Sequence, residues 1–279
     1  MWATDIDKLP SDRVVQRRDG YLVVRTPGNP GFWWGNLLVF DDPPARGDRV
    51  RWEQLFDAEF GDEPQIEHRT FAWDRVDGEI GEAQAEFVAV GYEIEDTVGL
   101  VAALDQIHPH PRENREVTVR VLDPVQGADR PLWEQVVELQ AVGRDQESSE
   151  PEDVFREFAR HRLDELRDTF RAGRGAWYVA LLGAGTVVGS CGVVVTGNRG
   201  RFHAVDTAAA HRRKGICSRL VVEAAHRSAE RYGATRFVIA AAADYHALGL
   251  YESLGFERAE HVHGVCQTPA ARRASSGLS

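Results

Sequence analysis

Positive charge is scarce in this chain: 33 Lys and Arg stand against 44 Asp and Glu, a formal net charge of -11 over 279 residues. Binding to a phosphate backbone needs a concentrated basic surface, so nucleic acid is not expected as a partner, whereas cationic amines suit the long-range field. Cysteine is scarcer still. Cys191, Cys217 and Cys266 make no paired framework, which points to a reducing compartment. No apolar run is long enough to cross a bilayer, and Met1 to Asp5 lacks the basic-then-apolar order of a secretory leader. The expectation is a cytoplasmic protein with no membrane partner. A Gly-x-Ser-x-Gly elbow, a Walker loop and paired-cysteine metal ligands are also missing, which disfavours hydrolase and kinase chemistry.

What is present is core material, with 43% hydrophobic residues, and a length that favours two ordinary domains. In the first part, strands are expected at Tyr21 to Arg25, Asn36 to Phe40 and Ile66 to Trp73. A helix capped by Asp48 places Trp52, Leu55, Phe56 and Phe60 toward a core and stops at Gly61; a second runs from Glu82 to Val90 and closes at Gly91. The Phe32-Trp33-Trp34 cluster reads as core filling. Gln106 to Glu116, with His108, Pro109, His110 and Pro111, has the character of a connector. Beyond it come a strand at Val117 to Leu122, a helix around Trp133, Val136, Val137 and Leu139, and a polar loop from Asp145 to Glu150. A longer amphipathic helix follows from Pro151 to Arg171, with Val154, Phe155, Phe158, Leu163, Leu166 and Phe170 on its apolar stripe. Ala176 to Leu182 and Thr186 to Val195 form a hairpin about Gly183-Ala184-Gly185; a strand follows those glycines, so they are no dinucleotide fingerprint.

The chemistry concentrates further on. A short strand, Arg201 to Thr207, hands over to Arg212-Arg213-Lys214-Gly215-Ile216-Cys217-Ser218, where a helix begins and carries Leu220, Val221, Ala224 and Ala225 at helical spacing up to Gly233. The first N–H groups of a helix have no partner inside it, and the macrodipole adds positive potential there. With three cations and a glycine in front, this is an anion cradle of the kind that takes a pyrophosphate. The alternative is a solvated basic turn. Then come an apolar run, Arg236 to Ala242, fit for a buried parallel strand, and Asp244-Tyr245-His246-Ala247-Leu248-Gly249-Leu250-Tyr251-Glu252-Ser253-Leu254-Gly255-Phe256.

This order resembles the GNAT superfamily of acyl-CoA-dependent N-acetyltransferases. Arg212 and Gly215 match the pyrophosphate loop of that family, with Cys217 where a small residue is usual. Ala247, Leu250, Tyr251, Glu252, Gly255 and Phe256 match its later helix, with Asp244 in place of an asparagine. The resemblance implies an α/β (α+β) fold with a mixed central sheet flanked by helices, acetyl-CoA as co-substrate with no metal, and an amine as acceptor. It further implies that Val205, Asp206 and Thr207 bind the pantetheine arm and that Arg212 to Ser218 hold the pyrophosphate. Asp244 is counted with the cofactor contacts, and Tyr251 lies beside the sulfur as proton donor to the departing thiolate. Many relatives carry a glutamate base on the strand that matches Val238 to Ala242, where this chain has only apolar residues. Asp206 and His203 remain as candidates. Three apart, they face opposite sides of an ideal strand, so at most one is expected to serve. Trp133 and Phe158 wall either the acceptor site or simply the core.

Gly91 to Val101 also lies over Gly255 to Val265, with Ala83 over Ala247 and Phe87 over Tyr251. Residues 1–113 therefore read as a degenerate copy of the fold in residues 114–279. The first copy, with Pro43, Pro44 and Asp48 where the cradle would be, is expected to bind no CoA. His261, His263 and Cys266 are set aside as a metal cluster, because Cys266 points to the other strand face and no further ligand is evident. A monomer or homodimer that acetylates a small-molecule or protein amine is the expected function; the alternative is a catalytically silent CoA-binding module.

Overall fold

Buried Tyr21, Val23 and Val24 and the buried run Leu37-Leu38-Val39-Phe40 supply the sheet that begins the chain. The computed structural model describes residues 2–125, 127–143, 152–183 and 185–276. The expected loop at 145–150, together with Pro151 and Ala184, lies outside them. Along the first half run α1 (Trp2–Asp7), β1 (Val14–Arg18), β2 (Tyr21–Arg25), β3 (Leu37–Phe40), α2 (Asp48–Phe60), β4 (Arg69–Trp73), α3 (Gln84–Val88) and β5 (Glu93–Ala103). Next are β6 (Thr118–Val121), α4 (Arg130–Gly143), α5 (Glu152–Arg171), β7 (Gly175–Leu182), β8 (Thr186–Thr196) and β9 (Arg199–Thr207). The chain ends with α6 (Ile216–Tyr232), β10 (Arg236–Ala242), α7 (Leu248–Glu252), β11 (Glu257–Gln267) and α8 (Pro269–Ser276).

Two compact units result. One gathers Met1–Gly99, Ala240–Tyr245 and Arg258–Ser279; the other gathers Leu100–Ile239 and His246–Glu257. The units interleave the chain, because the last strand belongs with the first unit: Gly264 to Gln267 of β11 pair antiparallel with Ala72 to Arg69 of β4.

In the first unit, β1, β2 and β3 are antiparallel neighbours and β3 runs parallel to β4, with α2 as the crossover. Trp52 and Phe56 of α2 bury onto Phe40, Phe71 and Trp73, and the Phe40 and Trp52 rings stack at 3.7 Å. Strand β1 escapes a reading based on apolar alternation because its Val-Val-Gln-Arg-Arg is exposed at four of five positions. In the second unit β6, β7, β8 and β9 form antiparallel pairs, and β10 pairs parallel with β9. Helices α4 and α5 cover a cluster containing Trp133, Leu163, Leu166, Phe170 and Trp177. On α5 the expected stripe is shorter than the sequence implies: Val154 is exposed, while Arg162 and Arg167 are buried.

The repeat is visible element by element. Helices α3 and α7 have equal lengths, start after Ala83 and Ala247, and end before positive-φ glycines, Gly91 and Gly255. The amide of Phe87 donates to Ala83 O and that of Tyr251 to Ala247 O; Tyr92 N then donates to Phe87 O as Phe256 N does to Tyr251 O. Likewise α2 and α6 both begin after a left-handed glycine, Gly47 at φ 82 and Gly215 at φ 74.

Candidate functional site

The site is built where β9 leaves its ladder. Pairing with β10 runs from Arg199↔Arg236 to Arg201↔Val238, and β9 continues past it. Against β8 the register goes from Gly192↔His203 to Ser190↔Asp206. Between these pairs β8 has one residue, Cys191, and β9 has two, Ala204 and Val205. That is a bulge, with Ala204 at φ 44. Alanine there gives no glycine signal for a reader of the sequence. The extra residue restores the parity of the strand, so His203 and Asp206 share a face, opposite Gly192 and Ser190. The expectation that they face opposite sides is corrected. His203 lies edge-on to Trp177 at 6.3 Å.

Burial pushes the Asp206 carboxyl up to about 6, with Arg212 opposing the shift only in part. Among the described residues two buried hydroxyl oxygens have no hydrogen-bond partner, Ser190 Oγ across the ladder from Asp206 and Thr207 Oγ1 next to it in the chain. Such orphans mark a place where a further polar group belongs.

After a 3-10 turn at Ala209–His211 come the three cations and Gly215. Arg212 Nε donates to Thr207 O (3.2 Å) and Lys214 Nζ to Ala210 O (3.0 Å), so both cations fold onto the turn. Arg213 itself is left-handed, at φ 61. The first amide of α6 bonded within the helix is Arg219 N, to Gly215 O, which leaves the N–H groups of Gly215 to Ser218 outside its hydrogen-bond ladder. Ile216 and Ser218 are buried, and Ser218 Oγ donates to Gly215 O, so a ligand would meet backbone here. Cys217 sits at a helix start, which ordinarily favours thiolate. Burial and the nearby Asp206 outweigh that and push its thiol up to about 12, so it is no nucleophile at neutral pH.

Close packing against the connector requires glycine at Gly215. A Cβ on it would stand 2.0 Å from Arg112 O and 2.8 Å from Asn114 N. The connector closes on the cradle: Asn114 N donates to Gly215 O and Asn114 Nδ2 to Lys214 O, both at 3.0 Å. Glu113 pairs with Arg219 at 3.3 Å. These partners lie a hundred residues apart in the chain, and no local pattern announces them.

Tyr251 is buried on α7 with its ring 6.4 Å from that of Phe256. Asp244 belongs to the first unit, on the exposed turn after β10. Trp133 is core: buried, its Nε1 donates to Asp123 O, and Arg167 lies over its ring. Phe158 is half-buried beside Phe155.

Residues 139–256 match the model of the Acetyltransferase (GNAT) family. This segment is a GNAT acetyltransferase domain. It contains β9, the cationic turn, α6 and Tyr251. No curated protein matches the chain in sequence. Among solved structures, a functionally unknown conserved protein from Staphylococcus epidermidis is similar at TM-score 0.73 and 11% identity, covering 92% of this chain and 94% of that one. A GCN5-related N-acetyltransferase from Kribbella flavida is similar at TM-score 0.60 and 16% identity, covering 95% and 92%. A tandem GNAT protein from the clavulanic acid biosynthesis pathway is similar at TM-score 0.55 and 16% identity, covering 95% and 87%. The chain has the tandem GNAT fold, a mixed sheet with helices in each unit.

In the first unit the place equivalent to the GNAT cradle is filled from within. Gly47 N donates to the Glu86 carboxylate (3.0 Å) and Ala45 N to Asp48 Oδ2 (2.9 Å). A carboxylate of the protein already stands at the start of α2. A separate cavity of about 590 Å³ in this unit, lined by Phe56, Phe60, Ile66 and Arg272 among others, includes no residue of β9 or α6.

Proposed function

We propose that the chain is an acetyl-CoA-dependent N-acetyltransferase that moves the acetyl group to an amine of a small molecule or protein by direct attack in a ternary complex. The observation that carries this is β9 parting from β10 after Arg201, bulging at Ala204 and leading through a 3-10 turn into the cationic turn before α6. In this reading the N–H groups of Gly215 to Ser218, outside the α6 hydrogen-bond ladder, hold the pyrophosphate, with Arg212, Arg213 and Lys214 supplying positive field. The edge of β9 at Val205 to Thr207 offers amide partners to the pantetheine arm, and the orphan Thr207 Oγ1 suits a polar group of that arm.

An alkyl ammonium with a pKa of about 10.4 must lose a proton before it can attack. Asp206 accepts it, directly or through water, because burial raises its basicity toward the working range. The amine nitrogen bonds to the thioester carbonyl carbon, and the tetrahedral intermediate gives up the second nitrogen proton to water as it collapses and the carbon–sulfur bond breaks. Tyr251 donates a proton to the leaving thiolate. Residues 114–279 carry this chemistry, and residues 1–113 serve as a chemically silent partner in which Phe87 stands for Tyr251 and Glu86 occupies the anion position.

Acetyl-CoA incubated with the protein and amine libraries, read by mass spectrometry, tests the reading. A Tyr251→Phe variant is expected to lose turnover while its CoA affinity, by calorimetry, stays within about twofold. CoA binding with no acetylated product from any amine would turn the reading into that of a silent CoA-binding module.

A further inference from the structure

Strand β11 carries His261 and His263 two residues apart, on the face that holds Val265 against the aromatic cluster of the first unit. The ligand the sequence did not reveal comes from β5. Asp96 Oδ1 lies 2.5 Å from His261 Nε2 and 3.4 Å from His263 Nε2. One donor atom from each of the three residues falls within 4.8 Å of the others. Four-coordinate zinc, with bonds of about 2.0–2.2 Å, sets its donor atoms roughly 3.3 Å apart. The Asp96–His263 spacing meets that already, His261 would withdraw from Asp96 by less than about 1 Å, and the two imidazole donors, within 4.8 Å of each other, would close on the ion.

Both rings are held in orientation by their surroundings. His263 has a buried side chain, 7% exposed; its Nε2 faces Asp96 Oδ1 at 3.4 Å, and its Nδ1 has no hydrogen-bond partner among the described residues. Its ring is held within 18° of parallel to Trp73 at 6.3 Å. The His261 ring is fixed from the other side. A turn bonds to its backbone through His261 N to Val76 O and Gly78 N to His261 O, and Gly78, at φ 82, packs so closely that a Cβ there would stand 2.7 Å from His261 Nδ1. Both imidazoles are thus oriented with Nε2 toward one carboxylate.

We infer that Asp96, His261 and His263 form a binding site for one divalent transition-metal ion, zinc being the best match, which ties β11 to β5 in the first unit. Two imidazoles and a carboxylate suit zinc, cobalt or nickel better than magnesium or calcium, whose sites are built from oxygen. Three protein ligands leave a fourth position for water.

The test uses the untagged full-length chain, dialysed against zinc alone and read by elemental analysis. Asp96→Ala and His261→Ala are the variants of choice, since those side chains are 47% and 42% exposed and their loss opens no core cavity. The expected result is one zinc per chain, a raised Tm with zinc, and loss of both in either variant, with His108→Ala/His110→Ala unaffected. Cobalt in place of zinc should give the intense visible bands of a four- or five-coordinate ion, absent from Asp96→Ala. No zinc retained by the folded wild type, or equal uptake by wild type and both variants, overturns the inference and leaves an ordinary His–Asp ion pair.

Discussion

His203 and Asp206 lie on one face of β9, although three residues apart, because the bulge at Ala204 and Val205 inserts an extra residue between them. Two candidate bases therefore face the same side, and their titration must separate them. Below a pH of about 6 the Asp206 carboxyl is protonated and cannot accept a proton, so turnover is expected to rise as pH climbs through that value. Asp206→Asn should lower kcat/KM by roughly 10²–10⁴-fold and abolish this limb, while His203→Ala keeps it. A limb that persists in Asp206→Asn and vanishes in His203→Ala would reverse the assignment.

Gly215→Ala should damage the protein before it damages ligand binding. Its Cβ would meet Arg112 O at 2.0 Å, and alanine pays in addition for φ 74. A loss of roughly 1–3 kcal/mol or more is expected, visible as a lowered Tm without CoA present. Arg213→Ala, exposed and outside that contact, is the cleaner probe of the anion cradle: unchanged Tm and weakened CoA binding are expected by thermal melting and calorimetry.

His68 makes the first unit sensitive to acid. Its buried ring, with Nε2 donating to Asn36 O at 3.0 Å, has a pKa lowered to about 4 by desolvation. Between about 6.5 and 4 the unfolded chain binds a proton that the folded one refuses, so stability falls as pH falls through that window and is fully retained above it. The loss approaches roughly 3 kcal/mol by pH 4. Urea melts across this range should show the slope in wild type and its removal in His68→Gln.

Cutting the chain between 113 and 114 should leave the second fragment poorly soluble. Gly264 to Gln267 would lose their pairing with Ala72 to Arg69, exposing the edge of β11 and the side chains of Val265 and Cys266. Co-expression of residues 1–113 with 114–279 is expected to restore solubility, measured as the soluble fraction after lysis; equal solubility of 114–279 alone would contradict this.

Local order was legible from the amino-acid sequence because it depends on near neighbours. The strand, cationic turn and helix around Gly215, the helix with Tyr251, and the offset that lays Phe87 over Tyr251 all appear in the structure, since helix periodicity, glycine stops and turn residues act within a few positions. Charged or short elements were not legible. Strand β1 has too little apolar alternation, and the start of β4 at Arg69 rather than Ile66 depends on its partners. Only tertiary structure could decide that β11 joins β4, that Asn114 closes on Gly215, that Glu86 fills the first cradle, and that Asp96 meets His261 and His263. Each is a pairing across 39 to 198 positions, set by which backbone edges and buried faces find each other, and an unremarkable Ala204 decides which side of β9 its neighbours face.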